Sequence, residues 1–367
     1  MVWALSALPA AIWLYLLLGR QWFWLIHPFK ASPLSGADTK RVAVIIPARD
    51  EAACIARVVE TWAAQRYQAP LRVFIVDDHS TDGTADIARQ AIVHQAIANS
   101  ARFQLLSAPE KPPQWTGKLW AVAQGVNAAR DFAPDYFLFT DADIVHAPDT
   151  LRTLLDRAET GHYDLVSLMV RLHCETVAEK TLVPAFVFFF FLLYPPRSMS
   201  GAAGGCMLVR RDALERAGGI EAIRSAIIDD CALAAAIKRS GGRVSLAPAE
   251  TSDSLRAYAT FAEIGRMISR TAYTQLRYSP LLLIATLLGL FVTYLLPVGL
   301  AVLVHGMPRA AGIAAWAFMS IAYAPTIRYY RLPILWSLTL PAVAVFYAGA
   351  TIHSAIRGSD WKGRRMV

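Results

Sequence analysis

The chain has 367 residues, enough for two domains of ordinary size or one large one. Hydrophobic residues make up 55% and charged residues 17%, against about 45–50% and about 25% in soluble domains, yet the formal net charge is +8. So apolar a composition excludes a disordered protein and argues against an ordinary soluble enzyme. It leaves two partners for the positive charge, a nucleic acid or an anionic membrane surface.

The first element is apolar, MVWALSALPAAIWLYLLLGRQWFWLI, residues 1–26. It lacks the basic start and small-residue cleavage site of a signal peptide. Arg20 beside Trp22, Phe23 and Trp24 suits an uncleaved anchor that places the following residues in the cytoplasm. A buried core helix is the competing reading.

Residues 41–250 then alternate strand and helix signals. Arg41–Pro47 (RVAVIIP) is a short β-branched run and reads as a buried strand; Glu51–Gln65 has helical periodicity, with Ile55, Val58, Val59 and Trp62 on one face. A strand at Arg72–Val76, a helix from Thr84, a strand at Phe103–Leu106, a helix over Gly117–Arg130 and a strand at Tyr136–Thr140 follow. The alternation predicts an α/β domain, a mainly parallel sheet covered by helices, with ligands bound beyond the carboxyl ends of the strands. Residues 182–196 (LVPAFVFFFFLLYPP) are apolar, bounded by prolines and too short to span a bilayer. They form either a core helix or an interfacial one, and periodicity does not separate the two.

Residues 281–304 and 334–356 are uncharged runs long enough to span, and Pro297 only kinks the first. Residues 310–324 between them are apolar but short. If all three spanned, the basic tail (Arg357, Lys362, Arg364, Arg365) would lie outside, against the positive-inside rule. The expectation is therefore that 310–324 does not span and that the tail is cytoplasmic. Residues 1–255 carry 25 Lys+Arg and 26 Asp+Glu, a net of −1, while residues 256–367 carry 11 and 2, a net of +9. The surplus belongs to the membrane third, so anionic lipid is the expected partner and nucleic acid is not. Cys54, Cys174, Cys206 and Cys231 contain no C-x-x-C pair, which suits a reduced cytosol without a zinc or disulfide framework.

Four polar clusters could carry chemistry. Pro47-Ala48-Arg49-Asp50-Glu51 follows the first strand and Asp77-Asp78-His79-Ser80-Thr81-Asp82-Gly83-Thr84 the second. Adjacent Asp77 and Asp78 need donors or a cation if buried, and a nucleoside supplies donors. A helix cap is the alternative, although two capping carboxylates exceed what one helix needs and Ser80, Thr81 or Asp82 could also cap. Asp141-Ala142-Asp143 places two carboxylates at a strand end, able to converge on Mg²⁺ or Mn²⁺. Asp229 and Asp230 precede a helix, where a dipole partner and a general base compete as readings. Lys118, at a helix start, either meets an anion or is a surface lysine, and Gly204-Gly205 permit close approach to a ligand or make a plain turn.

Together the motifs VAVIIPARDE (42–51), FIVDDHSTDGTADIA (74–88), TGKLWAVAQGV (116–126), FLFTDADI (137–144), GGCMLVRRDAL (204–214) and IDDCALA (228–234) resemble family 2 glycosyltransferases of the GT-A fold, in the family's order. The membrane arrangement and Trp361-Lys362-Gly363-Arg364 look most like the membrane glycosyltransferases associated with bacterial hopanoid synthesis. The resemblance implies a GT-A (Rossmann-like) catalytic domain at 41–250, an anchor at 1–26, an interfacial linker at 251–280, a membrane region at 281–356 and a basic tail at 357–367. It implies a multi-pass protein of the bacterial cytoplasmic membrane, its catalytic domain facing the cytoplasm. The implied reaction is inverting transfer from a nucleotide-diphosphate sugar to a lipid acceptor hydroxyl. Pro47, Asp50, Glu51, Asp77 and Asp78 would line the donor site, and Asp141 and Asp143 would form the D-x-D, with Asp143 the direct metal ligand. Asp230 would be the base. Asp229 stands where Glu is usual and Asp50 where many members have Asn. The Q-x-x-R-W of processive members is absent after the base. Lys118, Arg266 and Arg270 are candidates to meet the diphosphate. A polyprenyl-phosphate glycosyltransferase is the nearest alternative. A transporter is disfavoured by spans without ionisable residues, and a non-catalytic scaffold by the intact Asp143 and Asp230.

Overall fold

The computed structural model describes residues 2–29, 39–99, 102–198, 201–357, 359–361 and 364–366; Lys362 of the expected basic tail lies outside them. In chain order the elements are α1 (Val2–Leu18), β1 (Val42–Ala48), α2 (Ile55–Ala63), β2 (Leu71–Asp77), α3 (Thr84–Asn99), β3 (Phe103–Ser107), α4 (Gly117–Ala128), β4 (Tyr136–Thr140), β5 (Ile144–His146), α5 (Thr150–Thr160) and β6 (Leu165–Arg171). They continue with α6 (Val177–Leu193), β7 (Cys206–Arg210), α7 (Arg211–Arg216), α8 (Asp229–Arg239), β8 (Val244–Ser254), α9 (Phe261–Gln275), α10 (Pro280–Leu290), α11 (Leu296–Leu303), α12 (Met307–Tyr329) and α13 (Leu340–Arg357). The chain divides into an α/β unit (His27–Leu172, Ser198–Arg256) and a helical unit (Met1–Ile26, His173–Arg197, Ala257–Val367). The segment expected as a linker, 251–280, holds the end of β8 and the whole of α9.

The α/β unit is built on an eight-stranded sheet in the order β3-β2-β1-β4-β7-β6-β8-β5. β3, β2, β1 and β4 are mutually parallel, as the alternation predicted, and β6 is parallel to β8. The β4–β7, β6–β7 and β5–β8 pairs are antiparallel, so the sheet is mixed. Successive side chains of β1 bury on opposite faces. Val42, Val44 and Ile46 pack with Ile55, Val59 and Trp62 of α2 and Leu151 and Leu154 of α5. Ala43 and Ile45 pack with Leu119 and Val122 of α4 and Leu233 and Ile237 of α8. A strand covered on both faces reads as a continuous apolar run, which is why β1, β2 and β4 were visible in the sequence.

Register brings the polar clusters to one edge. Ala48 of β1 pairs with Asp77 of β2, and Ile45 with Phe139 of β4, so all three carboxyl ends lie together. β7 runs the other way and pairs Cys206 with Thr140, which sets the Gly204-Gly205 turn at the same edge.

In the helical unit, four helices are long and apolar enough to cross a membrane by length and composition: Val177–Ser198, Pro280–Leu303, Met307–Tyr329 and Ile334–Ile356. Two of these correct the reading of length. The stretch at 182–196 belongs to a longer helix, because Thr176 and Glu179 form a capping box that starts α6 upstream and Pro184 lies inside it. The stretch at 310–324 extends to 23 residues once the ends bearing Arg309 and Arg328 are included, long enough to span by length and composition. Pro297 has no N–H for the carbonyl of Thr293 four residues back. A five-residue π-helical turn, Phe291–Leu295, lies there, and the buried Trp13 indole of α1 donates to the Thr293 carbonyl at 2.8 Å. Rings from α6 knit the unit together: Phe188 meets Phe23 and Tyr323, and Phe189 meets Tyr294 and Tyr347.

Candidate active site

The first two clusters interlock. Asp50 has φ 51°, a left-handed conformation that Asp tolerates better than most residues. Its N–H donates to Ser80 Oγ at 2.9 Å, and its Oδ1 accepts from the Thr81 N–H at 2.8 Å. The Glu51 N–H donates to Thr84 Oγ1 at 2.7 Å. The start of α3 is served by Asp82, whose Oδ1 accepts the Thr84 N–H at 3.0 Å. Asp77 and Asp78 are therefore not needed as caps, and both are buried. Arg49 compensates Asp78, with Nη1 3.6 Å from Oδ2 and a 2.7 Å bond to the Asp78 carbonyl. Asp77 Oδ2 accepts from the Ser80 N–H, whereas Asp77 Oδ1 is buried without a hydrogen-bond partner among the described residues. A buried acceptor in that state can take a donor from water or from a ligand.

Asp141 and Asp143 leave β4 on either side of the buried Ala142. Lys118, in the first turn of α4, lies 2.9 Å from Asp141 Oδ1 and 3.0 Å from Asp229 Oδ2, so it is no surface lysine. Burial by itself would lower the Lys118 ammonium, but the two carboxylates outweigh burial and hold it above the ordinary lysine range. Among the described residues no group of three or more His, Cys, Asp and Glu side chains gathers as a metal site. The D-x-D supplies two carboxylates, which fits Mg²⁺ or Mn²⁺, because these hard cations use one or two protein carboxylates and complete their shell with substrate phosphates and water.

Asp230 opens α8. Its Oδ2 accepts the Gly204 N–H at 2.8 Å and its Oδ1 the Cys231 N–H at 2.7 Å. Burial first, then the neighbouring Asp229, pushes its carboxyl up to about 6, against the opposing pull of those N–H groups and Lys118. A carboxylate poised near neutrality suits proton abstraction. Gly204 lies beside the base and the lysine: an added Cβ would stand 3.4 Å from both Asp230 Oδ2 and Lys118 Nζ, an ordinary contact. Gly205 serves packing, since a Cβ there would meet Val170 at 2.8 Å. A pocket lined by Pro47, Lys118, Asp141, Gly204 and Asp229, with an apolar floor that includes Phe139 and Met207, opens at this point. Arg266 and Arg270, expected at the diphosphate, lie on α9 of the helical unit.

Sequence reasoning missed two parts of the site. One is Arg256, which the α/β unit itself brings to the D-x-D: its Nε donates to Asp143 Oδ2 at 2.6 Å and its Nη2 donates to Glu51 Oε1. No local motif marks it. Behind Asp141 runs a buried polar chain. Thr140 Oγ1 donates to the Gly205 carbonyl at 2.8 Å, so it must accept from His146 Nε2 at 2.9 Å. His146 Nδ1 is then the acceptor for the Ser252 hydroxyl at 2.8 Å. Burial pulls His146 down to about 3, so it stays a neutral Nε2–H tautomer. The chain ties the residue before Asp141 to the residue after Gly204, and a lone histidine three residues past a D-x-D gave no hint of that.

Residues 43–218, just under half of the chain, match the model of the family described as Glycosyl transferase family 2. An N-acetylglucosaminyltransferase of Mesorhizobium japonicum is 31% identical over 134 residues, 35% of this chain and 28% of that one. A 4,4'-diaponeurosporenoate glycosyltransferase of Staphylococcus aureus is 28% identical over 172 residues, 46% of this chain and 41% of that one. The chain thus spans well under half the length of these curated relatives. Among solved structures, a mannosyltransferase from Pyrobaculum calidifontis in complex with GDP-Man and Mn2+ is similar in fold over 98% of this chain and 100% of that one, at 20% identity and a TM-score of 0.59. The sheet and its helices are of the GT-A type.

Proposed function

We propose that this chain is a membrane-bound inverting glycosyltransferase that moves a sugar from a nucleotide-diphosphate donor to the hydroxyl of a lipid. The observation that carries the reading is the Asp230 carboxylate, held by the Gly204 N–H beside the D-x-D and raised to about 6. Asp77 Oδ1, buried and unmatched among the described residues, would accept from the nucleoside, with Pro47, Asp50, Glu51 and Asp78 completing that wall. Lys118, and Arg266 and Arg270 if the helical unit presents them, would bind diphosphate oxygens. Asp143 and Asp141 would hold Mg²⁺ or Mn²⁺, which when bound offsets charge developing on the leaving diphosphate. Asp230 takes the acceptor proton as the hydroxyl attacks the anomeric carbon.

The similarity to a diaponeurosporenoate glycosyltransferase and the four apolar helices support a lipid-like acceptor at a membrane. The sequence resemblance narrows that acceptor to a hopanoid or a similar lipid in the bacterial cytoplasmic membrane, with the α/β unit facing the cytoplasm. The test is to incubate membranes containing the protein with a panel of radiolabelled nucleotide sugars, with and without a chelator, and to identify lipid-extractable label by mass spectrometry. Label should enter the lipid phase for one donor and only without chelator. Label that stays water-soluble with every donor sinks the lipid acceptor, and full activity in chelator sinks the metal.

A further inference from the structure

The two cations nearest the D-x-D are both spent on carboxylates. Lys118 contacts Asp141 and Asp229; Arg256 contacts Asp143 and Glu51. Each of these cations thus serves two carboxylates, which leaves the cluster net negative and able to take a further cation. The Arg256 contact is fixed by the fold. β5 and β8 pair antiparallel with Ile144 opposite Ser254, the Leu255 N–H donates to the Asp143 carbonyl at 2.8 Å, and the Arg256 N–H donates to Ser254 Oγ at 3.2 Å. The Asp143 and Glu51 side chains are each 12% exposed, so each needs a counter-charge when nothing else is bound.

We propose that Arg256 is the internal counter-cation of the metal site, holding Asp143 until a divalent cation takes that carboxylate from it. The inference rests on reading Asp143 as a metal ligand. Arg256 holds Asp143 through Oδ2 and so competes with a cation for that carboxylate. A cation about 2.0–2.1 Å from that oxygen would compete with the guanidinium, itself 2.6 Å away, for the same negative charge. A cation that takes Oδ2 therefore displaces the guanidinium, and one that takes Oδ1 still meets its positive charge. The guanidinium, still held by Glu51 through Nη2, can then turn its other nitrogens to the diphosphate, whose oxygens suit its planar fork. The exchange makes the bare cation a weak ligand, because it must compete with an arginine already paired with a largely buried carboxylate.

The experiment titrates the full-length protein, in detergent and without nucleotide, with Mn²⁺ alone, and reads free Mn²⁺ by electron paramagnetic resonance. Arg256→Gln should bind Mn²⁺ about tenfold more tightly than wild type, ~1.4 kcal/mol. Arg256→Lys, which keeps the charge but loses the second prong, should fall between the two, and it carries the same sign if the glutamine variant does not fold. Asp143→Asn should bind more weakly. If Asp143→Asn weakens binding while neither Arg256 variant tightens it, the counter-cation role is overturned and the metal reading stands. If Asp143→Asn leaves Mn²⁺ binding unchanged, the metal reading fails and takes this inference with it.

Discussion

Thr140, His146 and Ser252 in the α/β unit and Tyr294, Tyr323 and Tyr347 in the helical unit all carry buried polar side-chain atoms, and they are handled in opposite ways. The first three form a directed chain in which each hydrogen bond fixes the sense of the next. The three tyrosine hydroxyls have no hydrogen-bond partner among the described residues, and their rings are placed by edge contacts with Trp13, Phe188 and Phe189. Directed bonds give one geometry, as Asp141 and Gly204 need if a base and a metal are to meet a reacting centre. Ring packing tolerates small shifts at little cost, which suffices for helices whose exposed residues include Leu281, Leu288, Leu303 and Ile356.

The largest effect that can break this contrast lies in the α/β unit. Asp230→Asn should lower sugar transfer by about 10²–10⁴-fold with donor binding preserved, as measured by transfer rate beside equilibrium binding of the nucleotide sugar. A mild loss would favour a phosphate acceptor, which needs little help from a base. The pH profile comes next. Asp230 works deprotonated and its carboxyl sits near 6, so kcat/KM should fall about tenfold per unit as pH drops below 6 and level off above it. A profile flat down to pH 5 would remove Asp230 from the role. The same raised value means that the folded protein holds this proton more tightly than the unfolded chain. The contribution of Asp230 to stability is therefore fullest below the ordinary aspartate range and is lost as pH rises through about 6.

The last two predictions set the units against each other through stability. Thr140→Val keeps the shape but strips both the Gly205 carbonyl and His146 Nε2 of their partner. It should cost about 1–3 kcal/mol in thermal or denaturant unfolding, with recovery in Thr140→Ser. Tyr323→Phe removes a hydroxyl that has no hydrogen-bond partner, and should change stability by less than about 1 kcal/mol, with stabilisation the favoured sign. Equal losses in the two variants would show that the tyrosine hydroxyl is matched after all and would erase the contrast.

The reading from sequence succeeded where a signal is local. Arg49-Asp50-Glu51, Asp77-Asp78 and Asp141-Ala142-Asp143 each follow directly on an apolar strand, and parallel neighbours put such ends at one edge. It failed at β5 to β8. β5 has three residues, and their order in the sheet depends on antiparallel partners far off in the chain. It also misjudged two helices, because an apolar stretch is shorter than the helix that carries it when capping turns and arginine stems extend the ends.

The composition of the chain determined by itself that a basic, apolar third accompanies a charge-balanced α/β region. The run of buried strands determined which end of the sheet would be acidic. Only the tertiary structure decided which cation sits on which carboxylate. Arg256 reaches Asp143 across 113 residues and Glu51 across 205, through the β5–β8 register. Lys118 reaches Asp229 because α4 and α8 cover the same face of the sheet. A charge-assisted hydrogen bond needs its partners within about 3 Å, so they are chosen by where the backbone passes and not by any pattern along the chain.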